Sequence, residues 1–258
     1  MRITIKIGSN VLTRADGSLD ATRLSALVDQ VAELRRRAIE VILVSSGAVA
    51  CGRSVLSHHQ NLLTKDNVDE RQLFSAVGQA KLIDRYYELF REHGITVGQV
   101  LTMKQNFDTP ESYATQQNCM EVMLQNGVIP IINENDTVCV TELMFTDNDE
   151  LSGLVARMMR CQRLIILSNI DGLYTGHPAD PQSRLIRHVA LTDDLHHVIS
   201  AEKSSAGRGG MESKYHIATE TARAGIEVVI ANGKRTDILL NLLDQPDTTP
   251  HTLFSTQP

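Results

Sequence analysis

Two stretches at opposite ends of the chain carry residues suited to holding phosphate. The first is Lys6-Ile7-Gly8-Ser9-Asn10. Gly8 lets a backbone approach closely, and Lys6 adds a positive point charge at the same edge. Alone, a lysine beside a glycine at a strand end is structurally ordinary. The second stretch is more informative: Ser204-Ser205-Ala206-Gly207-Arg208-Gly209-Gly210-Met211-Glu212-Ser213-Lys214. It reads as a glycine-containing loop entering a helix, with Lys214 in the first turn. Glycines let amides point at phosphates, and the helix start adds a positive dipole end. A lysine there works against the dipole, which makes sense where an anion is gripped. No G-x-x-x-x-G-K-[ST] run occurs, so this is not a Walker A loop.

Three further clusters follow apolar runs or precede helices. Ser45-Ser46-Gly47 can cap a helix or present its amides to a carboxylate or phosphate. Asn133-Glu134-Asn135-Asp136 is a turn by composition, but four hydrogen-bonding side chains directly after an apolar strand also suit a ligand site. Asp147-Asn148-Asp149-Glu150 is explained by helix capping and favourable dipole placement, and lacks the EF-hand spacing of a calcium loop. His58-His59 and His196-His197 are adjacent pairs, not pairs on one helix face, so no metal site is expected.

Elements that position these clusters alternate along the chain. Ile3 to Ile7 is a first strand. Leu24, Leu27, Val28, Val31 and Leu34 recur at helical spacing after a capping Asp20. Val41 to Val44 is a buried strand. A long helix is predicted from Arg71 to His93, with Leu73, Val77, Ala80, Leu82 and Tyr86 on one face. A strand over Thr96 to Leu101, a helix over Asn118 to Asn126 and a strand over Val128 to Ile132 come next. Val138 to Phe145 suggests a hairpin, Asp149 to Arg160 a helix and Leu164 to Leu167 a strand. Ser213 to Ala224 (helix), Val228 to Ile230 (strand) and a weaker helical spacing at Ile238, Leu239, Leu242 and Leu243 precede a Thr/Pro-rich tail. This order calls for an α/β fold with a mainly parallel sheet, whose ligands sit beyond the strands' carboxyl ends.

With 258 residues, 42% of them hydrophobic, the chain can build a large core. A formal charge of −6 argues against a general nucleic-acid binder but leaves room for an anionic ligand held locally. Cys51, Cys119, Cys139 and Cys161 lack C-x-x-C spacing and read as reduced, semi-buried thiols. No basic leader with an apolar h-region and no membrane-length apolar run occurs, so a cytoplasmic protein is the expectation.

Taken in order, Ile5-Lys6-Ile7-Gly8-Ser9, Val44-Ser45-Ser46-Gly47-Ala48, Ile132-Asn133-Glu134-Asn135-Asp136, Thr146-Asp147-Asn148-Asp149 and Gly209-Gly210-Met211-Glu212-Ser213-Lys214 resemble the glutamate 5-kinases (γ-glutamyl kinases) of the amino-acid kinase family. The resemblance runs from Ile5 to about Phe254. It implies a three-layer sandwich around an open, largely parallel sheet of about eight strands. The implied reaction is ATP plus L-glutamate giving L-glutamyl 5-phosphate and ADP, the first step toward proline, with Mg²⁺ carried on the ATP phosphates and no protein metal site. Lys6 and Lys214 match the catalytic lysines, and Asp149 the aspartate that positions them. Ser46, Asp136 and Asn148 match glutamate-binding positions. Lys6, Ser168-Asn169 and the segment Arg208-Gly209-Gly210-Met211-Glu212-Ser213-Lys214 match nucleotide-contacting positions.

Many relatives carry Thr-Asp where this chain has Ser168-Asn169, and a small hydroxyl residue where it has Arg208. The resemblance also leads to one kinase domain over 1–258, without the C-terminal PUA domain of many bacterial members. Proline feedback, through the loop between Thr96 and Val128 and the region around Glu142, and a dimer or tetramer are implied in the same way. Alternative readings are another phosphotransferase of the family, acting on acetylglutamate, aspartate, carbamate or a nucleoside monophosphate, or a non-catalytic amino-acid or nucleotide sensor on the same fold.

Overall fold

The computed structural model describes residues 1–59, 66–138, 145, 147–195 and 210–257. Its strands are β1 (Arg2–Ile7), β2 (Glu40–Ser45), β3 (Val97–Thr102), β4 (Ile129–Glu134), β5 (Arg163–Ser168), β6 (Leu173–Tyr174), β7 (Leu185–Ile186), β8 (His188–Val189), β9 (Glu227–Asn232) and β10 (His251–Phe254). Eight of them form one sheet in the order β3-β4-β2-β1-β5-β9-β10-β8, and β6 pairs with β7 separately. Neighbours from β3 across to β9 are parallel, while β10 runs antiparallel to β9. Parallel neighbours need crossover segments, and here helices supply them on both faces.

Side-chain alternation along each strand divides the core in two. Ile3, Ile5, Ile7, Val41, Leu43, Ile165 and Leu167 pack with α2 (Ala21–Arg36), α4 (Asn67–Glu92) and α8 (Ile238–Asp244). Ile42, Val44, Ile132, Leu164, Ile166, Val228 and Ile230 pack with α5 (Pro110–Gln125), α6 (Asn148–Met158) and α7 (Met211–Arg223). The result is the expected three-layer sandwich. It also sends the even-numbered residues of β1 toward α6: Thr4 meets Cys161 at 3.2 Å, and Lys6 meets Asp149.

Several predicted elements differ in extent. α4 starts at Asn67 rather than Arg71, because the Asp66 side chain accepts from the amides of Val68 and Asp69. Its buried face is Phe74, Ser75, Gly78, Gln79, Leu82, Tyr86 and Phe90, so Leu73 and Val77 are only half-buried and Ala80 is exposed. The reason is α3 (Ala48–Leu56), whose backbone lies directly against α4. A Cβ on Gly52 would sit 1.8 Å from the Phe74 carbonyl oxygen, and one on Gly78 1.8 Å from that of Ala48. Where backbones touch, glycine and small polar residues replace the apolar stripe that marks a helix face. α5 begins at Pro110, eight residues before the prediction, behind an Asn-free cap in which Thr109 accepts from the Ser112 amide. The Thr/Pro-rich tail contains a strand, β10. The predicted Val138 to Phe145 hairpin lies largely outside the described residues. Cys51 and Cys161 are buried free thiols, Cys119 is exposed rather than semi-buried, and Cys139 lies outside the described residues.

Candidate active site

Parallel strands end on one edge, and β1, β2, β4 and β5 deliver their carboxyl ends there beside the start of α6. A cavity of about 380 Å³ opens at that edge. Its wall includes Lys6, Ser46, Asp136, Asn148, Asp149, Ser168, Asn169 and Lys214, so residues from six separate stretches of sequence converge on one space.

Asp149 lies at its centre and is fully buried. Asp147 caps α6, accepting from the amides of Asp149 and Glu150 at 2.8 and 3.0 Å. Its other oxygen accepts from the Ser213 hydroxyl at 2.7 Å, which fastens the start of α7 to the start of α6. Close packing continues along the two helices, since a Cβ on Gly153 would lie 2.9 Å from Ile217 and from Thr221. This docking brings Lys214 Nζ to 2.8 Å from Asp149 Oδ2, while Lys6 Nζ lies 2.6 Å from Oδ1. Burial alone would push the Asp149 carboxyl up. The charges and hydrogen bonds of the two lysines overcome it and hold the group down at about 2. Asp149 is therefore an anion that orients two ammonium groups, not a proton acceptor.

A chain of amides leads away from this centre. The Asn148 side chain donates to Ser46 Oγ at 2.9 Å and to Asn133 Oδ1 at 3.0 Å, and Asn133 donates to Gln79 at 2.8 Å. The buried Asn148 Oδ1 has no partner among the described residues, which leaves an acceptor for a ligand donor. Beyond lie Glu134 and Asp136, both meeting Arg71 from α4. Burial, with the neighbouring Asp136 charge, pushes the Glu134 carboxyl up to about 7.

The opposite wall is mostly backbone. Gly47 takes φ +110°, a conformation that favours glycine, and turns the chain from β2 into α3. No described side chain caps α3, and Ala48, Val49 and Ala50 of its first turn line the cavity with Gly8, Ser9 and Asn10. Uncapped first-turn amides beside two ammonium groups form a fitting cradle for phosphoryl oxygens. No cluster of three His, Cys, Asp or Glu side chains able to hold a metal occurs among the described residues. A divalent cation would fit here as a passenger on nucleotide phosphates.

Other predicted site residues are placed less directly. Gly210, Met211, Glu212 and Ser213 are not in the described wall: Met211 packs on the core, and Ser213 serves the α6–α7 junction. Arg208 and Gly209 lie outside the described residues, as does Glu142. Arg71 was absent from the sequence-based set. Its signal is the polar spacing Arg71, Ser75, Gln79, one residue per turn on α4, each reaching Asn133, Glu134 or Asp136.

Comparison with known proteins identifies the family and the fold. The amino acid kinase family model matches residues 1–232. A glutamate 5-kinase of Bacteroides thetaiotaomicron is 65% identical over 253 residues, 98% of this chain and 69% of that protein. One from Chlorobaculum tepidum is 45% identical, over 92% of this chain and 65% of its own length. The chain thus spans about two thirds of these relatives. It spans 92% of a glutamate 5-kinase from Symbiobacterium thermophilum, which is 42% identical over 94% of this chain. The fold matches carbamate kinase from Giardia lamblia bound to AMP-PNP, with TM-score 0.69, 15% identity and coverage of 99% of this chain and 98% of that one. It also matches an isopentenyl phosphate kinase of T. acidophilum, with TM-score 0.68, 12% identity and coverage of 98% and 100%. A family model that matches residues 1–232, and a relative 65% identical over 98% of the chain, make this protein a member of the amino acid kinase family, among its glutamate 5-kinases.

Proposed function

We propose that the chain transfers the γ-phosphoryl group of ATP to the side-chain carboxylate of L-glutamate, giving L-glutamyl 5-phosphate and ADP. The observation that carries this reading is the buried Asp149 gripping Lys6 and Lys214 on its two oxygens. A carboxylate is a nucleophile at neutral pH, so no general base is needed. Its oxygen bonds to the γ-phosphorus as the bond from that phosphorus to the ADP oxygen breaks. Catalysis then rests on alignment and on neutralising charge spread over the equatorial oxygens.

Lys6 and Lys214 supply that neutralisation, and Asp149 keeps both charged and aimed. Mg²⁺ carried on the nucleotide would supply further charge neutralisation there. The amides of the first turn of α3 hold phosphoryl or carboxylate oxygens. Ser168 and Asn169, at the end of β5, contact the nucleotide, as does the segment from Arg208 to Lys214. Ser46 and Asn148 hold the glutamate chain, and Asp136 faces its ammonium group. Requiring an ammonium favours glutamate over N-acetylglutamate or carbamate.

Coupled ADP release with glutamate, N-acetylglutamate, aspartate and carbamate tests the reading. Turnover that depends on glutamate supports it. Preference for another acceptor reassigns the substrate, and folded protein inactive with all four returns the chain to a sensor role. The same assay with added proline tests feedback inhibition, and sedimentation tests the dimer or tetramer that the family implies.

A further inference from the structure

We propose that Arg71 receives the α-carboxylate of the amino-acid substrate, so that this residue, with Asp136 and Glu134, selects for the α-amino-acid end of the molecule. This rests on glutamate being the acceptor. An amino acid phosphorylated on its side chain brings a second carboxylate and an ammonium group that take no part in the reaction. Both must be held, and both are charged.

Lys6 and Lys214 are committed to Asp149 and to the phosphoryl group. Among the described residues lining the cavity, the remaining cationic side chain is Arg71. Its guanidinium meets Asp136 and lies 3.5 Å from Glu134 Oε2. An arginine fork suits a carboxylate in a way that a lysine point charge does not. Without it, an α-carboxylate entering beside Glu134 and Asp136 would meet only like charge.

The neighbours hold this group in a fixed place. On α4, Gln72 donates to the Thr137 carbonyl at 3.0 Å, and Gln79 accepts from Asn133 at 2.8 Å. The helix is therefore fastened to β4 and the turn after it, at the residue next to Arg71 and again two turns further along. The Arg71 side chain is 25% exposed, against 9% for Asp136 and 5% for Glu134, so the cation is the accessible member of the trio. One guanidinium against two carboxylates leaves an excess negative charge for an ammonium when both acids are ionised. A zwitterion then meets the trio with each charge opposed.

The test compares L-glutamate with its α-amide, which keeps the γ-carboxylate and the ammonium but neutralises the α-carboxylate. The parent should favour glutamate over the amide by about 30-fold or more in kcat/KM, the scale of a hydrogen bond to a charged group. Arg71→Met should raise the glutamate KM by a similar factor, leave the ATP KM unchanged and collapse that preference. Arg71→Lys, which keeps a charge beside Asp136, should recover part of it. Equal use of both substrates by the parent overturns the proposal. So does a variant that loses both substrates equally, or whose ATP KM rises alongside, since a merely structural arginine would behave that way. A parent inactive on glutamate would instead refute the glutamate reading itself.

Discussion

Replacing Asp149 by Asn should destabilise the protein as well as inactivate it. Asp149 is 0% exposed, and Lys6 and Lys214 are 6% and 8% exposed. Removing its charge leaves two buried ammonium groups facing each other. The depression of the carboxyl from 3.8 to about 2 corresponds to about 2 kcal/mol of stability from the ionised form. Breaking a buried charge set by deleting one partner typically costs about 3–5 kcal/mol. For a chain of this size that is a fall in Tm of about 6–20 °C. Thermal melts followed by circular dichroism at pH 7 would read it.

Because the folded value lies below the ordinary one, this stabilisation is present above about 3.8 and is lost as pH falls toward 2. The gap between parent and variant should therefore narrow in acid. MgATP, which brings negative charge to the lysines, should stabilise the variant more than the parent. The triple change Lys6→Met, Asp149→Leu, Lys214→Met should regain most of the stability while remaining inactive. An Asp149→Asn protein that melts within 2 °C of its parent would refute the argument that this carboxylate organises the buried lysines.

Further expectations follow from the same geometry. Lys214→Met should lower kcat at least about 100-fold, the effect of removing one charge-stabilising donor, and a near-normal kcat would remove Lys214 from the transition state. Glu134, facing Asp136 and Arg71 and held near 7, should gain its charge as pH rises through neutrality, so the glutamate KM should fall between about pH 6 and 8; Glu134→Gln should flatten that profile. The same raised value means that native stability from this group is fullest below about 4.5 and declines up to about 7, which urea titrations of parent and Glu134→Gln can compare. Gly78→Ala should destabilise by at least about 2 kcal/mol, because its Cβ meets the Ala48 carbonyl and the Gly52 amide; unaltered stability would mean that α3 and α4 pack less tightly than the geometry requires.

Much of the site was legible before any coordinates. Lys6, Ser46, Asp136 and Asn148 stand at or just after apolar runs, or at a helix start, and the local physics of strand ends and caps marks such places, whereas Ser168 and Asn169 entered only through the family resemblance. The order of the motifs along the chain identified the family. The strand order and two-sided core were legible only as a class, since apolar runs report burial but not neighbours. α4 was misread in its face because backbone contact with α3 substitutes Gly78 and Ser75 for bulky apolar residues.

Of Lys6 and Lys214, the sequence alone established that two cations sit beside glycine-rich turns more than two hundred residues apart. Strand alternation turns Lys6 toward α6, and the Asp147–Ser213 bond docks α7 so that Lys214 arrives at the other oxygen of Asp149. Those are long-range contacts, set by packing rather than by any local preference. Arg71 shows the same limit: an arginine in the first turns of a helix is unremarkable until the fold places it over two buried carboxylates.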